Sequence, residues 1–389
     1  MSIWTGRRCG CAAQVETAPP PRFDVGDGAM CTFFREEGYC VVRGAADMAE
    51  TGRVTDLLWG FLEAATPMER ADATTWGFPD ALGYADLGIL NTLGFNHSRC
   101  CWAVRQLPGV QDAFRQIWFD DPGLESAEQL IVSFDGGNVF LPWHGGRAAL
   151  VPDARAHKTS EGWFHVDQGR TKGSDRRGVQ GLLALTAATR ATGGLLVVPG
   201  SHKRHRALME RQRHDGDFVC IDDGDPIDVS ASRLVVCEAG DLILWDSRVV
   251  HCNTCALEAP DAAAHPLDEL LRAAVYCSMC PASFCPPEME AFRRRAFFRG
   301  QGTNHWAHDP SPVGSAAPLA GAAAKRAAAA SGKGGKKKKT TKGKGDEAVS
   351  DEMLAVAAEE RGVALENLGL VTGRAAPPPA AAALAAGAT

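Results

Sequence analysis

Hydrophobic positions fall into two textures along the chain. From residue 45 to 125 they recur at helical spacing: "MAETGRVTDLLWGFLEAA" sets apolar side chains three and four apart, and Pro108 to Phe119 repeats the period. The spacing predicts helical support over 45–125, preceded by a short strand and turn in "GYCVVRGAAD" and by a polar, proline-containing leader over 1–25. Near Glu128 the pattern changes. Short runs of β-branched and aliphatic residues, each bounded by glycine, proline or aspartate, follow one another: "QLIVSFDGG", "GWFHVD", "GVQGLLALTAA", "GGLLVVPGS", "RLVVCEAGDLILWDS", "RVVHCN" and "RAAVYCSMCPAS". Such runs with regular turn signals argue against alternating βαβ units, so a mainly β double-sheet jelly roll with flanking helices is expected over 128–285. "PEMEAFRRRAFFRGQ" reads as a basic amphipathic helix packed on that sheet, completing a domain of 26–310.

After this the pattern fades. Residues 311–350 are alanine, glycine and lysine with little to bury, and are expected to form a disordered linker; one short helix is expected over 351–373, then a disordered tail over 374–389. The lysines at 336–344 suit a nuclear-import signal or a weak handle for nucleic acid, but a solvated linker is the simpler reading. The net charge of -6 over 389 residues gives no general case for nucleic-acid or membrane-surface binding. No apolar stretch approaches the roughly 20 residues of a membrane span. The expectation is therefore an intracellular, most simply cytoplasmic protein. Thirteen cysteines are scattered through apolar runs. Cys252 with Cys255 and Cys277 with Cys280 form CxxC pairs near zinc-ribbon spacing, yet positions i and i+3 of a strand face opposite ways, which favours reduced, buried thiols.

Candidate chemistry begins in "GWFHVDQG". On a strand, His165 and Asp167 project to one face and can aim at one ion, although a lone HxD is weak evidence. In "EAGDLILWDSRVVHCNT" a turn, a buried strand and a second turn deliver His251, which is expected to come over the sheet and face the pair. Two histidines and one carboxylate are the facial triad of non-haem Fe(II), with positions left for co-substrate and O2.

Four blocks in order, "WFHVDQG", "GVQGLLALTAATRATGGLLVVPGSHKRH", "GDLILWDSRVVHCNT" and "RAAVYCSMCPAS", make the stretch from Tyr39 to Ser283 resemble the phytanoyl-CoA dioxygenase-like family of Fe(II)- and 2-oxoglutarate-dependent oxygenases. The resemblance implies a double-stranded β-helix (cupin-like) with iron held by His165, Asp167 and His251, and a basic residue on a late strand for the far carboxylate of 2-oxoglutarate. Arg272 is the candidate, since a guanidinium matches a carboxylate. Two departures accompany it: the insert "LEAPDAAAHPLDELL" stretches the interval after His251, and the position two beyond the arginine, often a hydroxyl in related oxygenases, is Ala274. Gln180 and Asn253 could donate hydrogen bonds to 2-oxoglutarate or to an iron ligand. Trp143, Trp163 and Trp245 could line the pocket, Lys203, Arg204 and Arg206 could meet an anionic substrate, and Gln168 and Gly169 lie at the lip of the HxD turn. The implied activity is hydroxylation of a small organic or lipid-like substrate with release of succinate and CO2. The alternatives are a catalytically silent jelly-roll binding protein and a nucleic-acid-directed oxygenase steered by the lysine tail.

Overall fold

The computed structural model describes residues 19–374, apart from 121–122, 125–127, 145–147, 213–214, 223, 259–268, 318–319 and 331–347. Two sheets, antiparallel except for one edge pair, face each other. The larger runs Arg22–Phe23, Tyr39–Val42, Leu242–Asp246, Val179–Ala184, Arg272–Tyr276, Gly137–Phe140, Ile89–Leu90 and Gly83–Tyr84, with Met279–Pro281 and Leu130–Val132 attached beside Val179. The smaller runs Val219–Cys220, His165–Val166, His251–Thr254, Gly194–Val197 and Arg233–Leu234. The mainly β jelly roll expected from the short apolar runs is thus observed.

Successive side chains on a strand go to opposite faces, and here both faces are covered. Val41, Leu182, Ile243, Trp245 and Ala274 of the larger sheet point inward and pack with Leu195, Val197 and Val249. Their neighbours Cys40, Val42, Leu183, Leu242, Leu244 and Val275 point outward into a core shared with the helices. Double burial explains why these strands read as continuous apolar runs rather than as alternating ones. Phe164, Val166, Leu196, Val250 and Cys252 form a third cluster on the outer face of the smaller sheet.

The expected helices Met48–Ala65 and Pro108–Phe119 are present, the first opened by an Asp47–Glu50 capping box and the second by a proline in its first turn. Gly28–Glu37 is a further helix in a stretch the periodicity leaves unassigned. Asp27 caps its start, and Gly38, at φ 79, ends it. A side chain at Gly38 would strike Val249 and His202, so this glycine also lets the turn lie against the strand that leads to His251.

Pro287–Arg299 is helical as expected, but its Arg293 is fully buried and donates to the carbonyls of Ala307, Leu370, Val132 and Val371 at 2.6–2.9 Å. One side chain thereby ties the C-terminal segment to a strand of the larger sheet. Within the 311–350 segment expected to lack structure, Gly321–Ala330 is a helix against Asp351–Arg361, joined by an Arg326–Glu359 ion pair. Alanine buries little, yet it has the highest helix propensity, and a partner helix is enough to use it. The lysine run and most of the insert after His251 lie outside the described residues. Among the described residues the cysteines form no disulfide and are mostly buried. Burial pushes Cys280 and Cys277 well up, and among the described residues no cysteine takes part in a metal-binding cluster.

Candidate metal centre

His165 and His251 sit on neighbouring strands of the smaller sheet and are direct partners in its register. This corrects the expected geometry: His251 does not reach over the sheet but stands beside His165. The two rings lie 4.3 Å apart. Each delivering turn is fixed. The backbone N–H groups of Asp167 and Gln168 both donate to Ser247 O at 3.1 Å, which joins the HxD turn to the turn before His251. That second turn is braced by Arg248, which grips Asp246 with Nε and Nη2 at 2.9 and 2.6 Å and reaches Ser174 O at 2.7 Å.

Both imidazoles are oriented through Nδ1. His165 Nδ1 lies 3.1 Å from Trp163 O and His251 Nδ1 lies 2.9 Å from Val249 O. A carbonyl can only accept, so each Nδ1 carries the proton and each Nε2 presents a lone pair. The two Nε2 atoms converge on Asp167, at 3.4 Å from Oδ1 and 3.2 Å from Oδ2. The three donor atoms lie within 4.8 Å of one another, and among the described residues no other group of three such side chains does so. This is the spacing and donor set that suit one Fe(II) ion.

The surroundings keep the group rigid. Gln180 Nε2 donates to Asp167 Oδ2 at 2.8 Å. Trp163 stacks on His165 at 4.9 Å and 7°, and Phe218, 42% exposed, covers the other face at 4.4 Å. Trp245 lies 5.6 Å from His251. Burial pushes the Asp167 carboxyl up, but the neighbouring imidazoles of His165, His305 and His251 outweigh it and hold the group well below the usual carboxylate range. Burial, reinforced by His251, holds His165 below the ordinary histidine value, so its ring is neutral and able to bind metal.

A second polar cluster forms where Arg272 opens its strand. Arg272 is 2% exposed and donates Nη1 to Asn138 Oδ1 at 2.8 Å and to Asn253 Oδ1 at 2.9 Å, with its guanidinium 5.1 Å from the Phe140 ring. Asn253 Nδ2 donates to Tyr276 Oη at 3.2 Å. Among the described residues no carboxylate pairs with Arg272, and burial lowers its proton affinity. Asn253 stands two residues after His251 on the same face, so it links the two clusters.

Other expected residues do different work. Gln168 is sealed inside the turn, donating to Gly173 O and Asp175 O at 2.9 and 2.7 Å, while its own carbonyl meets His205 Nε2 at 2.7 Å. Gly169 lets the turn run against Gly216. Trp143 packs with Phe140, Ala256 and Leu271 under Lys158. Lys203 pairs with Glu36, Arg204 donates to Pro226 O at 2.8 Å, and Arg206 is exposed, so the "PGSHKRHR" turn makes no convergent basic site. Three residues near the two clusters escape sequence reasoning: Asn138, Tyr276 and His305. Asn138 had one visible signal, a polar residue inside an apolar run bounded by glycines.

A two-histidine, one-carboxylate group on a jelly roll defines the class, a non-haem Fe(II)- and 2-oxoglutarate-dependent oxygenase using O2. The chain belongs to the phytanoyl-CoA dioxygenase (PhyH) family, which it matches over residues 34–252, more than half of its length. It is 24% identical over 294 residues to the Ava biosynthesis cluster protein O of Aspergillus versicolor, a match covering 71% of this chain and 84% of that one. Among solved structures it is similar to the non-haem alpha-ketoglutarate-dependent epimerase SnoN from nogalamycin biosynthesis, with 16% identity, TM-score 0.39, and 65% of this chain against 82% of that one. It is also similar to EvdO2 from Micromonospora carbonacea var. aurantiaca complexed with 2-oxoglutarate, with 16% identity, TM-score 0.37, and coverage of 65% and 89%. No helix among the described residues is long and apolar enough to cross a membrane.

Proposed function

We propose that His165, Asp167 and His251 hold the iron, that Arg272 receives the far carboxylate of 2-oxoglutarate, and that the enzyme hydroxylates a small organic or lipid-like substrate while releasing succinate and CO2. The observation that carries this reading is the convergence of two carbonyl-oriented Nε2 atoms on one carboxylate. When bound, iron supplies the oxidising chemistry, driven by decarboxylation of 2-oxoglutarate.

The chain's own residues do the rest. Asp167 offsets positive charge at the ion, and Gln180 keeps that carboxylate from rotating. Trp163 and Phe218 clamp the His165 ring between them. Arg272, buried and with no carboxylate partner among the described residues, accepts a carboxylate with little reorganisation because Asn138 and Asn253 already hold it. Tyr276 projects to the same strand face as Arg272, four residues on, and offers the hydroxyl that Ala274 lacks. The family match ends at residue 252, so the role of Arg272 rests on this geometry rather than on the match. We place the working unit at 26–310 and read 351–373 as an attached segment clipped on by Arg293.

The test is succinate release dependent on both Fe(II) and 2-oxoglutarate, run over a metabolite extract with mass spectrometry for species that gain one oxygen. Succinate accompanied by such a product supports the hydroxylase reading. Tight Fe(II) binding with no decarboxylation supports the silent binding protein.

A further inference from the structure

Beyond the residues matched by the family, the chain returns to the metal centre on a narrow loop. Thr303 exchanges two bonds with Phe134, N to O at 2.8 Å and Oγ1 from N at 3.0 Å, and Asn304 N donates to Ser311 O at 3.0 Å, so residues 303–312 form an antiparallel turn anchored beside the larger sheet. Its tip carries His305 and Trp306, with rings 4.9 Å apart. Lys172, from the turn just after Asp167, clasps the loop from outside. Its Nζ lies 2.6 Å from Asp309, 3.4 Å from Asp217 and 4.7 Å from the Trp306 ring. The HxD turn and the loop are thereby held together as one wall.

Trp306 and Ser247 both pack against Gly178, so the loop lies against the turn that leads to His251, and His305 comes within electrostatic reach of Asp167, Asp217, His251 and His165. Its Nε2 is closed to solvent, yet no atom of the described residues bonds it. Trp163 Nε1 and Trp245 Nε1, on the rings that flank His165 and His251, are likewise buried without a partner. A buried polar group left unpaired costs roughly 1–3 kcal/mol, so a cluster of them around one centre marks the place where a ligand completes the bonding.

We infer that His305 is a positioning residue of the iron centre, presenting Nε2 to an oxygen atom of the ligand that occupies the side left free by His165, Asp167 and His251. The inference rests on the triad reading above. It also narrows the substrate class to a largely apolar frame carrying hydroxyl, carbonyl or ether oxygen, because the rings around the triad combine aromatic faces with unpaired nitrogens. A plain hydrocarbon chain would leave those nitrogens unpaired.

The oxygen could belong to the diatomic ligand of the metal or to the organic substrate, and two measurements separate them. The full-length protein is loaded anaerobically with Fe(II) and 2-oxoglutarate, nitric oxide is added as the probe, and electron paramagnetic resonance spectra of wild type, His305→Gln and His305→Phe are compared. In air, the same proteins are assayed over a metabolite extract for oxygenated product per succinate. His305→Gln keeps a hydrogen-bonding side chain and should match wild type in both. His305→Phe should either shift the nitrosyl spectrum, assigning the oxygen to the metal's diatomic ligand, or lower product per succinate by about 10-fold, the loss of one hydrogen bond, assigning it to the substrate. Fe(II) binding equal to wild type checks that the variant is folded, and His305→Leu replaces it if phenylalanine does not fit. An apolar variant that matches wild type in both measurements overturns the inference. Wild-type protein that binds no Fe(II) instead removes the triad reading, and the inference with it.

Discussion

The two buried polar clusters are built on opposite electrostatic plans. On the smaller sheet, Asp167 faces the Nε2 atoms of His165 and His251 at 3.2–3.4 Å, so three electron-pair donors converge. On the larger sheet, Arg272 is surrounded by the neutral dipoles of Asn138 and Asn253 and by the Phe140 ring, with no carboxylate among the described residues. The first cluster is held in place by the two Nδ1–carbonyl bonds and by Gln180, and gathers its donors for a cation. The second has no counter-ion among the described residues, and a buried charge is tolerable only if something pairs with it. Unfinished electrostatics thus points to where an anion enters, while converging lone pairs point to where a metal does.

The largest expected break is Asp167→Ala. It removes the shared charge and one ligand, and should depress Fe(II) affinity by more than the roughly 10–100-fold typical of outer-shell changes, measured by anaerobic titration. Arg272→Met comes next. It should raise the dissociation constant for 2-oxoglutarate by about 100-fold, the ~3 kcal/mol of a broken buried charge pair, while the chain without ligand becomes no less stable in urea. A large fall in its unfolding midpoint would break the contrast between the clusters. Gln180→Leu frees Asp167 Oδ2 and should weaken Fe(II) binding by about 10-fold, at the low end for an outer-shell partner, leaving 2-oxoglutarate affinity in the Arg272 cluster unmoved.

The smallest effect is on stability against pH. Burial holds His97 well below the ordinary histidine value and lowers His308 to about 4. The unfolded chain therefore takes up protons first as pH falls below about 6.5. The stability these neutral rings confer is present above that pH and is lost as pH falls toward their folded values. Denaturation midpoints taken at pH 7.5 and pH 5.5 should fall toward acid, and His308→Gln should flatten part of the slope.

How much of this the sequence could show follows from the range of each signal. His165 and Asp167 are two apart on one strand, so a period of two put them on one face. His251 was legible because turn, strand and turn residues precede it. What stayed hidden depends on register between distant strands: that His165 opposes His251, that Asn138 meets Arg272, and that Tyr276 lies near Asn253. His305 arrives on a loop with no periodicity of its own, fixed by Phe134 and Lys172 rather than by neighbours in sequence. The helix at Gly28–Glu37 had both end signals, Asp27 and Gly38, but a weak apolar stripe between them.

The central claim, that one ion is held by His165, Asp167 and His251, is tested most directly by anaerobic titration of Fe(II) into the full-length chain and into Asp167→Ala, followed by admission of 2-oxoglutarate and air. The account predicts one ion per wild-type chain with succinate release, and in the variant neither tight binding nor succinate. Near-normal Fe(II) stoichiometry and succinate production by Asp167→Ala would contradict it.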